Sequence, residues 1–190
     1  MSRSDVVPFL KAWLRQPLHV ASVAPSSRAL ANLITREIGP ATGPVIELGP
    51  GTGAFTRVLL ERGIPARDLV LVESEPEFAA LLRMRFPLAR VREMDAAALA
   101  HAWVLDPGRD AGAVVSGLPV LTMPRDKLAA LLTGAFAHLT PGGGFYQFTY
   151  TLSCPIPTPL LRGLGLESRL VGWTLANMPP ARVYRIGRRG

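Results

Sequence analysis

Val45-Ile-Glu-Leu-Gly-Pro-Gly-Thr-Gly53 is the stretch that decides the fold of this 190-residue chain. It begins as a short buried strand, Val45 to Leu48, and the apolar spacing from Phe55 to Arg62 indicates a helix directly after it. The three glycines between strand and helix allow a sharp turn and a close backbone approach to a ligand. The free N–H groups at the start of that helix carry a partial positive charge. The stretch therefore predicts a ligand site at the end of a parallel strand.

Two carboxylates frame this predicted site. Glu73 follows a second apolar run, Leu69 to Val72, and an acidic side chain at that position can accept both hydroxyls of a ribose. Glu47 precedes the glycines, where it would repel a pyrophosphate but could serve a cationic ligand. The glycines are spaced G-x-G-x-G, whereas a dinucleotide site requires G-x-G-x-x-G. The pattern indicates a nucleoside cofactor that carries positive charge.

Glu47-Leu-Gly-Pro-Gly-Thr-Gly53 resembles motif I of the class I S-adenosylmethionine (SAM) methyltransferases. Met94-Asp-Ala96, after a predicted third strand from Ala89 to Arg92, resembles the acidic motif that these enzymes place beside adenine. The resemblance implies SAM as the cofactor, S-adenosylhomocysteine as the product and no metal. It implies a cofactor site made of Glu47, Gly49, Pro50, Gly51, Thr52, Gly53, Glu73, Ser74, Asp95, Ala96, Ser116 and Leu118.

The alternation of strand and helix patterns predicts an α/β fold, a doubly wound Rossmann-like and mostly parallel sheet with an antiparallel C-terminal hairpin. Residues 41–190 form the predicted methyltransferase domain, and 155–165 read as a loop. The later predicted elements are helices over 76–85 and 125–139, strands over 113–115 and 145–150, and a hairpin over 169–175 and 182–186.

Composition points to an anionic partner. The net charge is +7, and the sequence pI is about 10.7. Such a balance favours nucleic acid or a membrane surface. The lone Cys154 excludes an intramolecular disulfide. We expect a cytoplasmic location, because no secretory signal and no stretch of spanning length are evident.

Residues 1–40 form a separate N-terminal region. Apolar side chains from Val6 to Leu14 cluster on one helical face with basic residues opposite, which is typical of an interfacial membrane helix. A helix that caps the domain's own core would show the same pattern, so both interpretations stay open. A second helix is predicted from 27 to 38. The predicted membrane contacts are Val7, Phe9, Leu10, Lys11, Trp13, Leu14 and Arg15.

Further motifs narrow the resemblance. Four stretches carry this information: Ala24-Pro-Ser-Ser-Arg28, Val115-Ser-Gly-Leu-Pro119, Gln147-Phe-Thr-Tyr150 and Asn177-Met-Pro-Pro-Ala181. They resemble motifs of the small bacterial phosphatidylethanolamine N-methyltransferases. That family implies successive methylation of a phospholipid amine toward phosphatidylcholine, on the inner face of the cytoplasmic membrane. Adenine-specific enzymes carry N/D-P-P-aromatic where this chain has Ser116-Gly-Leu-Pro119, so a nucleic-acid partner is not expected.

Aromatic side chains can hold the quaternary ammonium of the fully methylated product. Tyr150 and Tyr146 are the predicted catalytic residues, and Trp173 and Asn177 are predicted to bind substrate. Ser26, Ser27 and Arg28 could bind the lipid phosphate at a helix start, or could act only as a structural cap. Two alternative functions remain, a relative of the ribosomal RNA adenine dimethyltransferases and a non-catalytic, SAM-binding, membrane-remodelling protein.

Overall fold

A computed structural model describes residues 24–177 and 179–190, with side chains described from residue 28 onward. Seven strands occur in this part of the chain: β1 (Val45–Leu48), β2 (Leu69–Glu73), β3 (Arg90–Glu93), β4 (Ala111–Ser116), β5 (Leu139–Thr149), β6 (Leu166–Thr174) and β7 (Ala181–Arg188). They form one sheet in the order β3-β2-β1-β4-β5-β7-β6.

Five α-helices connect or cover these strands in the described part: α1 (Ala24–Ile34), α2 (Ala54–Glu61), α3 (Pro76–Arg85), α4 (Arg125–Ala137) and α5 (Thr158–Gly163). Short 3-10 turns at Ala96–His101 and Val120–Thr122 follow β3 and β4. None of the helices within 24–177 and 179–190 is long and apolar enough to cross a bilayer.

The central strands are parallel and buried on both faces. Val45 at the start of β1 lies opposite Leu69 of β2 and opposite Ala113 of β4. All residues of β1 and β2 are buried, as expected for apolar runs that have helices on either side. β2 pairs with one side of β1, and β4 pairs with the other side. The connections that follow β1 and β4 therefore lead away from each other, which leaves a crevice at the carboxyl ends of these strands.

Each face of the sheet has its own apolar core. On one face, Leu30 of α1, Leu59 of α2 and Leu82 of α3 pack in a single cluster. On the other face, Leu131 of α4 and Leu160 of α5 belong to a second cluster. This two-sided packing is the doubly wound arrangement predicted from the sequence.

The C-terminal hairpin is antiparallel, as predicted. Thr149 at the end of β5 lies opposite Arg182 of β7, and Arg182 also lies opposite Trp173 of β6. The turn between β6 and β7 therefore lies at the same edge of the sheet as the carboxyl ends of β4 and β5.

Three predicted boundaries were wrong. β5 begins at Leu139 and contains Pro141–Gly144, which we expected to separate helix from strand. The chain bends within the strand where Gly142 takes a φ of 81°. The predicted loop 155–165 contains α5, a helix of six residues that is too short to show a helical period. The predicted helix over 27–38 runs from Ala24 to Ile34.

The predicted membrane helix lies outside the described residues, and so do all of its predicted membrane contacts: Val7, Phe9, Leu10, Lys11, Trp13, Leu14 and Arg15. Ser26 and Ser27 lie in α1, but their side chains are also outside the described set. The interpretations of these residues stay predictions.

Candidate functional site

The glycine loop between β1 and α2 is built from left-handed backbone. Gly49, Gly51 and Gly53 have φ values of 65°, 55° and 82°. Side-chain-bearing residues rarely adopt such angles, so glycine is required at all three positions. A Cβ on Gly53 would also lie 2.3 Å from the ring of Phe86. The loop turns the chain from strand to helix and leaves its backbone exposed to a ligand.

The segment after β4 packs directly against this loop. The N–H of Gly117 donates to the carbonyl of Leu48 at 2.8 Å. A Cβ on Gly117 would lie 2.7 Å from the carbonyl oxygen of Gly49, and a Cβ on Gly49 would lie 2.6 Å from the side chain of Leu118. The fold thus brings the glycine loop and Ser116–Pro119, two separate motifs of the sequence, into contact.

Glu73 closes one side of the loop. Its Oε2 accepts the N–H of Gly51 at 3.0 Å, and its Oε1 accepts the N–H of Glu75 at 3.1 Å. The side chain is almost completely buried. Each carboxylate oxygen has a second lone pair, so the fixed carboxylate can still accept the hydroxyls of a ribose.

Glu47 is the strongest electrostatic feature of the site. The residue is fully buried, and its Oε2 accepts the hydroxyl of Thr56 at 2.6 Å. Its Oε1 is buried and has no hydrogen-bond partner among the described residues. Burial raises the pKa of Glu47 to about 7, and the nearby charge of Glu73 acts in the same direction. A buried carboxylate with an unpartnered oxygen fits a cationic ligand.

Asp95, the predicted adenine-side acid, is exposed and already paired. Its Oδ1 accepts the N–H of Ala97 at 2.9 Å, and its Oδ2 lies 2.6 Å from the Lys127 ammonium. The hydrogen bond with Lys127 and that from Ala97 hold the pKa of Asp95 below its usual range. Of its predicted neighbours in the site, Ser74 is exposed beside Glu73 and Ala96 is buried in the core.

A pocket opens where β4 and β5 end. No lining residue carries a charge: its walls are Leu118, Pro119, Val120, Leu121, Phe148, Thr149 and Tyr150. Ser116 lies buried below it and accepts the N–H of Leu118 at 3.3 Å. Because Leu118 also contacts the glycine loop, this pocket adjoins the predicted cofactor site.

Aromatic rings join the glycine loop to Tyr150. The ring of Phe55, in the first turn of α2, meets that of Phe148 edge-on with 6.0 Å between centroids. Phe148 meets Tyr150 in the same way at 5.5 Å. Burial raises the pKa of Tyr150, and the nearby side chain of Asn177 acts in the opposite direction. Two residues that the sequence proposed separately, Tyr150 and Asn177, are therefore neighbours.

Two buried polar side chains of the site, Gln147 and Thr56, were not predicted from the sequence. Gln147 donates through Nε2 to the carbonyls of Leu118 at 3.1 Å and Phe148 at 3.0 Å, so it ties the two walls of the pocket together. Thr56 holds one oxygen of Glu47. The signal available in advance was a glutamine within an apolar strand, since a buried polar side chain requires hydrogen-bond partners.

Tyr146 does not share the setting of Tyr150. It is buried, lies opposite Val115 and Arg185 rather than at the strand end, and donates its hydroxyl to Glu37 at 3.3 Å. This contact favours a structural role, and the catalytic interpretation of Tyr146 stays a prediction.

Arg28, for which the sequence left a phosphate ligand and a structural residue open, pairs with a carboxylate. Its guanidinium lies 3.0 Å from the carboxylate of Glu61. Glu61 is the last residue of α2, whereas the glycine loop precedes the first. The salt bridge therefore places Arg28 at the end of α2 that points away from the site. Trp173, another predicted substrate contact, is exposed on β6 opposite Arg182.

This combination of a doubly wound sheet, a glycine loop, Glu47 before it and Glu73 on the next strand defines a class I SAM-dependent methyltransferase. The site residues fit SAM: the unpartnered oxygen of Glu47 suits the cationic amino acid end, and Glu73 suits the ribose. Within 24–177 and 179–190, no three His, Cys, Asp or Glu side chains group as a metal site requires.

Residues 45–143 match the family described as "Methyltransferase domain", and the chain belongs to that family. The chain is 35% identical over 149 residues to the ornithine lipid N-methyltransferase of Singulisphaera acidiphila, a match that covers 76% of this chain and 78% of that protein. It is 42% identical over 76 residues to the ribosomal RNA small subunit methyltransferase A of Maridesulfovibrio salexigens, covering 40% of this chain and 27% of that protein.

Solved structures show the same fold. The glycopeptide N-methyltransferase MtfA, complexed with SAM, superposes with a TM-score of 0.63 at 16% identity and covers 87% of this chain and 95% of that chain. Fold, site and family thus agree on methyl transfer from SAM, which confirms the cofactor predicted from the glycine loop.

Proposed function

We propose that this chain methylates the amine of a membrane lipid headgroup, and that its substrate is phosphatidylethanolamine together with the monomethyl and dimethyl forms. The observation that carries the proposal is the uncharged pocket beside the glycine loop, walled by Leu118–Leu121 and Phe148–Tyr150. The similarity to an ornithine lipid N-methyltransferase over most of both chains supports a lipid amine as the acceptor.

When bound, SAM supplies an electrophilic methyl group on a sulfonium, and the acceptor nitrogen must reach it as a neutral amine. The pocket residues contribute to this requirement because an apolar environment disfavours the charged form of an amine and lowers its pKa. The contact between Gly117 and Gly49 keeps the acceptor pocket beside the cofactor loop, so the reacting groups are held close.

Tyr150 and Phe148 present the aromatic surface of the pocket. Aromatic faces attract alkylated ammonium groups, which cannot donate hydrogen bonds once they are fully methylated. Asn177 lies near the Tyr150 hydroxyl and its Nδ2 donates to the carbonyl of Pro179 at 3.0 Å, so the turn between β6 and β7 lies beside Tyr150. We assign Tyr150 to headgroup binding and Asn177 to its positioning.

An ornithine lipid is the second candidate substrate, and the relative's activity favours it. An ornithine headgroup also presents a primary amine but needs no phosphate ligand. The engagement of Arg28 by Glu61 removes one argument for a phosphate site. Methylation of RNA adenine is less well supported, because Ser116-Gly-Leu-Pro119 lacks the base-stacking aromatic and the match to the RNA enzyme is partial.

The test is a methyl transfer assay with labelled SAM and three acceptors presented in parallel: phosphatidylethanolamine vesicles, ornithine lipid vesicles and small-subunit ribosomal RNA. We expect label in phosphatidylethanolamine and its partly methylated forms. Label in ornithine lipid alone would replace the proposed substrate. Label in RNA alone would overturn the proposal of a lipid enzyme.

A matched pair of variants tests the pocket. We expect Tyr150→Leu to lower kcat/KM for the lipid more than tenfold, because it removes the aromatic face. Tyr146→Phe, which removes only the hydroxyl bonded to Glu37, should change kcat/KM less than twofold. Equal effects of the two variants would contradict the assignment of Tyr150. Peripheral attachment through the N-terminal helix, with Trp13 on its apolar face, remains part of the proposal.

A further inference from the structure

Three connections at the carboxyl edge of the sheet contain no Asp, Glu, Lys or Arg: residues 117–124 after β4, 150–158 after β5 and 173–181 between β6 and β7. They are unusual in a chain with a net charge of +7 and 18% charged residues. On the cofactor side of the same edge, Glu73 ends β2 and Asp95 follows β3. The charge-free segments therefore lie on the part of this edge that contains the pocket, and these two acidic residues lie on the part that contains the glycine loop.

These segments expose large apolar side chains at the edge of the sheet where the pocket opens. Leu121 lines the pocket and is 36% exposed, and Leu152, three residues beyond β5, is 83% exposed. Trp173 and Leu175, at the end of β6, are 60% and 69% exposed. The pairing of Thr149 and of Trp173 with Arg182 places the ends of β5 and β6 at the same edge of the sheet, on either side of β7. We call Leu121, Leu152, Trp173 and Leu175 the apolar rim.

We propose that the apolar rim is the surface through which this protein docks on a lipid bilayer, with the pocket mouth facing the headgroups. The proposal rests on the proposed lipid substrate and adds the face of the domain that meets it. Contiguous exposed apolar side chains mark interaction surfaces. Tryptophan and leucine beside an uncharged surface suit the membrane–water interface, where tryptophan is enriched.

Positive charge at the border of the rim fits an anionic bilayer. Arg182 of β7 lies between the ends of β5 and β6, and its guanidinium donates to the carbonyl of Thr151 at 3.4 Å. Basic residues close to an anionic lipid surface add attraction that is independent of the apolar contact. The net charge of +7 acts in the same direction at longer range.

The geometry also explains how a lipid amine reaches the pocket. A headgroup amine is attached to chains that remain in the bilayer, so the pocket must open toward the membrane plane. Leu121 belongs to both the pocket wall and the rim. A domain docked by its rim would place the pocket mouth at headgroup depth, so the lipid would not have to leave the bilayer.

The experiment compares the full chain with Leu152→Ser/Leu175→Ser in co-sedimentation with vesicles of phosphatidylethanolamine and phosphatidylglycerol. We expect the double variant to bind at least tenfold more weakly. The matched control is Met84→Ser/Leu88→Ser, because these residues are 76% and 74% exposed but lie in the last turn of α3 and just before β3, outside the three charge-free segments. The control should bind within twofold of the unmodified chain.

Equal vesicle binding by the unmodified chain and the rim variant would overturn the proposal. Hydrogen exchange adds a second readout that needs no substitution, since vesicles should slow exchange in residues 150–158 and 173–177 of the full chain. The proposal would also be overturned if vesicles left the exchange rates of these residues unchanged. The same holds if these residues were already fully protected without vesicles, because residues 1–23 or a second copy of the chain would then cover the rim.

Methyl transfer to a monomeric short-chain phosphatidylethanolamine separates this proposal from the proposed function. We expect the rim variant to retain activity on the monomeric lipid within twofold and to lose at least tenfold on vesicles. Equal losses on both substrates would overturn the docking role. Failure of the unmodified chain to methylate any lipid would instead refute the proposed function, while vesicle binding would still decide whether the rim docks.

Discussion

Glu47→Gln is the substitution whose consequences can be worked out most completely. Burial raises the pKa of Glu47 from 4.5 to about 7 in the folded chain. Between those two pH values the folded state binds more protons than the unfolded state, so the stabilising contribution is full below pH 4.5 and is lost as pH rises to about 7. At about 1.36 kcal/mol per pKa unit, the contribution of Glu47 to the free energy of unfolding falls by about 3 kcal/mol across this window.

The amide introduced by Glu47→Gln would keep an oxygen that can accept the Thr56 hydroxyl, but it would not titrate. Urea unfolding of both proteins at several pH values from 5 to 8 measures the effect, and the difference between the two proteins removes contributions from other titrating groups. We expect the unmodified chain to lose about 2.5 kcal/mol relative to Glu47→Gln from pH 5 to pH 8. If the free energies of unfolding of the two proteins changed with pH in the same way, the assignment of a neutral, buried Glu47 below pH 7 would be refuted.

SAM binding should also depend on pH through Glu47, with affinity rising as Glu47 ionises. A cationic ligand beside the unpartnered oxygen favours ionised Glu47, so binding releases a proton below pH 7. If Glu47 is ionised in the complex, the affinity for SAM should improve by about tenfold from pH 6 to pH 8. Glu47→Gln, measured by the same calorimetric titration, controls for the titration of SAM itself. Identical pH profiles would show that Glu47 does not face the cationic end.

Three other substitutions test the remaining contacts. Glu73→Ala should weaken SAM binding by at least tenfold in calorimetry, because charge-assisted hydrogen bonds contribute about 1.5–3 kcal/mol; unchanged affinity would contradict the ribose assignment. Gly117→Ala places a Cβ 2.7 Å from a glycine-loop carbonyl, so kcat should fall at least tenfold, whereas the control Gly163→Ala meets open space and should leave kcat within twofold. Arg28→Ala should cost at most about 1 kcal/mol of stability in urea unfolding, because its pair with Glu61 is exposed. A large rise in KM for lipid in that variant would restore its role as a phosphate ligand.

The sequence predicted the cofactor because the constraints on the glycine loop are local. A turn with three left-handed residues requires glycine, and Glu47 and Glu73 follow from their positions at the ends of two apolar strands. Nothing in such a pattern depends on the packing of distant segments. The order of the parallel strands follows from the same local units and from the handedness of their connections.

The acceptor half depends on contacts that are distant in sequence. Tyr146 and Tyr150 both belong to the apolar cluster on one face of the sheet, but only the structure reveals that Tyr146 contacts Glu37 while Tyr150 lines the pocket. The partner of Arg28 lies 33 residues away, and an exposed ion pair leaves no sequence pattern. The strand through Pro141–Gly144 was missed because proline and glycine usually mark turns, and β5 accommodates them by a bend.

The central claim is that the methyl group goes to a lipid amine. The most direct measurement is the lipid profile of cells that produce this chain, compared with cells that produce Glu73→Ala at equal abundance. The account predicts stepwise N-methylated phosphatidylethanolamine, ending in phosphatidylcholine, only with the unmodified chain. An unchanged lipid profile, with newly methylated adenine in ribosomal RNA, would contradict it.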